Sequence, residues 1–106
     1  MRAIILLALL MGPSAQASEI LHRPYEEARP QLIAEGFLPV AHRTGCRETE
    51  KLGDWRCREF PEMELCRLEA PFPCIADWIM PSGSRMKIVV EGYDLIVSRT
   101  FTARSP

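Results

Sequence analysis

The chain has 106 residues, a formal net charge of −1, and 25% charged and 47% hydrophobic side chains, which is material for one small domain. Both signs of charge are interspersed, which excludes the one-signed basic footprint that nucleic acid or an anionic lipid surface selects. The longest apolar run is nine residues, less than half of the roughly 20 that a spanning helix needs.

That run, Ala3 to Met11, follows Met1-Arg2 and precedes Gly12-Pro13-Ser14-Ala15-Gln16-Ala17. A positive start, an apolar core and small residues at Ala15 and Ala17 are the marks of a cleavable secretory signal. They predict a signal peptide over residues 1–17, cut after Ala17, and a single disulfide-bonded domain over 18–106 in the periplasm or secreted. No cysteine follows the cut, which argues against a lipid anchor. Loss of Arg2 leaves 12 basic against 14 acidic residues, a net of −2.

Residues 18–23 read as a loose lead-in. A helix is expected over 25–35: Pro24 suits its start, Glu26 and Glu27 suit the positive end of its dipole, and Gly36 suits the position past its end. Tyr25, Ala28, Leu32 and Ile33 form its apolar stripe. Pro30 implies either a kink or a regular helix beginning nearer Glu27. Residues 37–41 read as a short extended segment, and Pro39 confines it to an edge. From His42 to Glu59 the chain turns polar and charged and reads as a long irregular loop, with Trp55 returning to cover the core. Strands follow over 64–69, 74–80, 85–91 and 95–101, separated by Ala70-Pro71-Phe72-Pro73, Pro81-Ser82-Gly83-Ser84 and Gly92-Tyr93-Asp94. Period-two alternation puts Ala76, Trp78, Met86, Ile88, Val90, Leu95, Val97 and Phe101 inward, and Asp77, Lys87, Glu91, Ser98 and Thr100 outward. The expected fold is α+β: one N-terminal helix packed on a three-to-four-stranded antiparallel meander, with two disulfides.

Cys46, Cys57, Cys66 and Cys74 are separated by eleven, nine and eight residues. An even count behind a secretory signal reads as two bridges. Three pairings are possible; Cys46–Cys57 and Cys66–Cys74 are favoured, because each closes a short local loop worth about 2.5–3 kcal/mol by chain entropy. A zinc site, a redox pair and a covalent haem all want C-x-x-C, which is lacking.

The pattern Tyr25-x-x-Ala28-Arg29-x-x-Leu32-Ile33-x-x-Gly36-Phe37-x-Pro39, then Phe60-Pro61-Glu62, Cys66, Cys74, Trp78, Gly83 and Ile88-Val89-Val90, resembles a group of small uncharacterised periplasmic proteins of Gram-negative bacteria. The resemblance spans about three-quarters of residues 18–106. It implies the helix-plus-meander fold and a Cys66–Cys74 bridge, and it implies no activity. The charged excursion holding Cys46 and Cys57 departs from the pattern.

Candidate chemistry is sparse. His22 and His42 have no ligand spacing, Ser82, Ser84 and Ser98 stand in no nucleophile elbow, and Glu48, Glu50, Glu62, Glu64 and Glu69 read as solvated surface. Arg43, Arg47, Arg56 and Arg58 alternate with acidic residues. The candidate partner-binding residues are therefore Arg47, Trp55, Arg56 and Arg58, with Trp55 either an aromatic anchor or a lid on the core. No catalytic, metal-binding or cofactor-binding residue is assigned, and no cofactor is expected. The expected function is non-catalytic: a binding or envelope-associated module with a protein partner in the cell envelope, no nucleic acid and no membrane span after signal removal. The alternative is an inhibitor of a secreted lysozyme or protease that inserts the 42–59 loop.

Overall fold

A computed structural model describes residues 19–42 and 55–103. The signal segment and the residues from Arg43 to Asp54, with Cys46 and Arg47, lie outside the described residues. Among the described residues, two helices and five strands occur in the order α1 (Tyr25–Ala34), β1 (Leu38–Pro39), α2 (Trp55–Glu59), β2 (Met63–Cys66), β3 (Cys74–Ile79), β4 (Arg85–Glu91) and β5 (Ile96–Ala103). The class is α+β, with a second short helix inside the stretch expected to be irregular.

Helix α1 starts where Pro24, extended at φ −63° and ψ 139°, accepts from the amides of Glu27 and Ala28. It runs through Pro30 without a break, with Pro30 on the exposed side. Its end is set by Gly36, whose φ of +96° a side chain would disfavour, and by the Phe37 amide bonding back to Leu32 O. Tyr25, Ala28 and Leu32 are fully buried, but Ile33 is 44% exposed. The apolar stripe is thus narrower than expected, because Ile33 sits one position past the last core contact.

Strand β3 is central. β4 pairs along one side, and β1 and β2 lie end to end along the other, with Leu38 and Pro39 opposite Ile79 and Trp78, and Met63 to Cys66 opposite Ala76 to Cys74. Pro39 occupies an outer strand, as its missing amide requires. β2 begins one residue earlier and ends three earlier than expected, and Arg67 onward turns through the cis Ala70–Pro71 peptide. Cys66 and Cys74 are direct cross-strand partners and form a disulfide, with Cα atoms 4.1 Å apart.

Between β4 and β5 the register shifts: Val90 faces Val97, yet Val89 faces Arg99, so Ser98 is the extra residue of a bulge. Its hydroxyl donates to Val89 O at 3.2 Å. One inserted residue reverses the alternation beyond it. Thr100 therefore takes the Ile88 side and Phe101 the Lys87 side, 46% exposed. This corrects the assignment of Phe101 as inward and Thr100 as outward.

The lead-in is anchored. His22 N donates to Val97 O and Val97 N to Arg23 O, Pro24 bridges Ile96, and Ile20 is fully buried. The core joins Ile20 and the α1 stripe to Phe60, Met63, the Cys66–Cys74 bridge, Trp78, Met86, Ile88, Val90 and Val97.

Candidate functional site

At the end of the sheet carrying the β4–β5 turn, exposed aromatic side chains collect. Trp55, first residue of α2, is 46% exposed, and Tyr93, in the turn, is 78% exposed. The Tyr93 ring stacks on Phe72 (centroids 5.3 Å apart, planes at 29°), and the turn is tied to the β2–β3 connection by Gly92 N bonding to Pro71 O. Tyr93 is therefore held in place although it faces water. Trp55 and Tyr93 are shared by two adjoining depressions. A shallow groove of about 720 Å³ runs over Arg29, Pro30, Ile33, Phe60 and Asp94, and a smaller one of about 240 Å³ runs over Leu68, Phe72 and Gly92. Two walls are made by non-glycine residues in the left-handed region, Phe72 (φ 57°) and Leu95 (φ 50°). Such backbone costs of order 1 kcal/mol or more per residue and collects at sites where the surrounding structure imposes it.

Below the groove lies a buried polar hub. Glu62, 1% exposed, accepts from Tyr25 OH at 2.5 Å and from Arg29 Nε and Nη2 at 2.7 and 3.1 Å. Trp78 Nε1 donates to the Tyr25 hydroxyl oxygen at 2.9 Å. Burial first, and then the Glu62 charge, push the Tyr25 phenol far above its ordinary range. The hydrogen bond to Glu62 raises Arg29 in turn, against the opposing effect of its partial burial. Phe60 packs edge-on against Tyr25 (5.0 Å), and the Arg29 guanidinium lies 5.7 Å over the Phe60 ring. The hub thus fixes Arg29 and Phe60, which form the groove floor. Glu62 was read from sequence as solvated surface; its partners are 33 and 37 residues away along the chain.

A second polar cluster occupies the other face. Asp77, expected outward, is 1% exposed. The chain after β1 folds over it: Val40 N bonds to Asp77 O and His42 N to Pro61 O. Arg85 Nη2 lies 2.5 Å from Asp77 Oδ2, Lys87 Nζ 3.6 Å from Oδ1, and His42 Nε2 3.3 Å from Oδ2. Lys87 also reaches Glu64 at 2.6 Å. His42, Glu64 and Asp77 present ligand atoms within 4.8 Å of one another, which is the spacing of a cation site. A divalent ion there would compete with two cations already in place, since Arg85 and Lys87 balance the charges of Asp77 and Glu64. The donor set therefore fits a metal poorly, and the cluster acts as a clamp that fastens residues 40–42 to the sheet.

Of the predicted partner-binding residues, Arg47 lies outside the described residues. Arg56 is buried at 5% exposure, donating to Phe72 O (2.9 Å) and Arg67 O (3.2 Å), so its guanidinium stitches the β2–β3 connection and is not presented to a partner. Trp55 and Arg58 are exposed. Trp55 lines the groove beside the core residues Phe60 and Leu95, with about half of its surface left exposed. His22 lies exposed in the lead-in, and His42 reaches Asp77. Tyr93 was missed, although an aromatic at the centre of a Gly-x-Asp turn has no core to enter and was legible as exposed. No protein family, curated protein or solved structure matches this chain.

Proposed function

We propose that this protein is an exported, non-catalytic binding module that holds a protein partner in the cell envelope through the groove between Trp55 and Tyr93. The observation that carries this reading is the pair of exposed aromatics, one stacked on Phe72 and both set at the rim of a shared depression. Large rigid aromatics dominate binding energy at interfaces, and holding them in place before binding reduces the ordering cost of association. A contiguous exposed apolar surface on a small domain is itself a mark of an interaction site. The Cys66–Cys74 bridge, packed 4.0 Å from Cys57 Sγ, suits an oxidising compartment. We take Cys46–Cys57 as the second bridge, a covalent tie on α2, whose first residue is Trp55.

The test is affinity capture from an envelope extract with the oxidised protein and with the double variant Trp55→Ala/Tyr93→Ala. Both side chains are exposed, so the variant is expected to keep its circular dichroism and to lose no more than about 1–2 kcal/mol of stability. Retention of a defined protein by the wild type and its loss in the folded double variant are expected. Undiminished retention by that variant would overturn the reading.

A further inference from the structure

The lining of the groove mixes apolar side chains with charged ones. Glu26, Glu27, Glu59 and Asp94 stand there against Arg29, four carboxylates to one guanidinium, in a chain whose total charge is only −1. Arg29 is spent on the buried Glu62, and Arg23 reaches Glu27 at 3.7 Å. Among the described residues, Glu26, Glu59 and Asp94 have no cation at ion-pair distance. Carboxylates so placed repel one another and attract a counter-charge, and their mutual repulsion is relieved when a cation enters. The faces of Trp55 and Tyr93 are also electron-rich and favour a cation above them. Resting on the binding role proposed above, we infer that the occupant is a basic peptide segment, an extended stretch alternating lysine or arginine with aliphatic residues. Its cations lie over the aromatic faces and between Glu26, Glu59 and Asp94, and its aliphatic side chains lie against Ile33, Pro30 and Phe60.

Trp55 supplies the readout. The chain has two tryptophans, and the other, Trp78, is buried. The oxidised protein is titrated with a heptapeptide alternating lysine and leucine, and with counterparts carrying glutamate or serine in place of lysine. The lysine peptide is expected to shift Trp55 emission and to bind about tenfold more tightly than the serine peptide at low salt, with that margin closing as salt rises to about 0.5 M. The glutamate peptide is expected to leave the emission unchanged. Glu59→Gln/Asp94→Asn, at two exposed positions, is expected to remove most of the lysine preference while leaving folding intact, and Trp55→Phe to silence the signal.

Equal binding of the lysine, serine and glutamate peptides would overturn the charge selection and leave the groove as a binding surface. Binding of a neutral oligosaccharide with no dependence on Glu59 and Asp94, or concentration-dependent self-association that buries Trp55, would replace the basic segment by another occupant and overturn the inference. A silent Trp55 with every peptide, together with partner capture unaffected by Trp55→Ala/Tyr93→Ala, would remove the groove reading itself.

Discussion

Tyr25→Phe removes one oxygen from a fully buried polar hub, and its cost can be worked from the geometry. Tyr25 OH donates to the Glu62 carboxylate at 2.5 Å and accepts from Trp78 Nε1 at 2.9 Å. The variant forfeits a charge-assisted bond and leaves the indole N–H of a fully buried tryptophan unpaired, while Arg29 still holds Glu62. Together these are expected to cost about 3 kcal/mol near neutral pH. The phenol also links stability to alkali. Its folded pKa is raised far above the ordinary value of about 10, chiefly by burial. Between those two values the unfolded chain has lost the proton and the folded chain keeps it. The unfolded state then binds fewer protons, so stability is fully present below about pH 10 and falls by about 1.4 kcal/mol per pH unit above it. Urea unfolding of wild type and Tyr25→Phe across pH 7 to 11, followed by circular dichroism, is expected to show this steeper alkaline loss in the wild type only. Ultraviolet difference titration of wild type against Tyr25→Phe gives a second measure: the Tyr25 phenol is expected to keep its proton while the chain is folded. Equal alkaline slopes in the two proteins, or ionisation of the Tyr25 phenol before unfolding, would refute the buried hub.

Replacing Cys66 and Cys74 by serine opens a loop with a sequence separation of 8 and is expected to cost about 2.5 kcal/mol, read as a lowered urea midpoint. Asp77→Asn leaves Arg85 and Lys87 facing a neutral amide; because both cations are partly exposed, about 2 kcal/mol is expected rather than the 3–5 of a fully buried pair, with earlier hydrogen exchange at Val40 and His42. The bulge is tested by a pair: Phe101→Ser is expected to change stability by less than about 1 kcal/mol, and Val97→Ser by about 2–3 kcal/mol. The reverse order would place Phe101 in the core.

The meander was legible because Cys74–Met80, Arg85–Glu91 and Leu95–Phe101 alternate between turns of Ser, Gly, Pro and Asp, and strand pairing then places Cys66 beside Cys74. The bulge was not legible. Val97, Arg99 and Phe101 keep an unbroken period of two in sequence, and only the register against Val89 and Val90 shows that Ser98 interrupts it. Asp77 was placed on the right face and given the wrong environment, since alternation tells which side a residue takes and not what folds over it. Glu62 was misjudged for the same reason. A carboxylate is read as exposed until its cation is located, and Arg29 is 33 residues away. The candidate groove was half visible. Trp55 was singled out for being a large aromatic in a polar stretch, whereas Arg56, picked beside it, is buried at the bottom of the smaller depression with its guanidinium bonded to Phe72 O and Arg67 O.

The binding surface is tested most directly by a photo-crosslinking residue placed at Tyr93 and, separately, at Ser82, which sits in an exposed turn at the far end of β4. Illumination of intact cells is expected to give a discrete adduct from position 93 and none from position 82, with the position-93 adduct lost on adding Trp55→Ala. An adduct from position 82 alone, or a position-93 adduct indifferent to Trp55, would contradict the account.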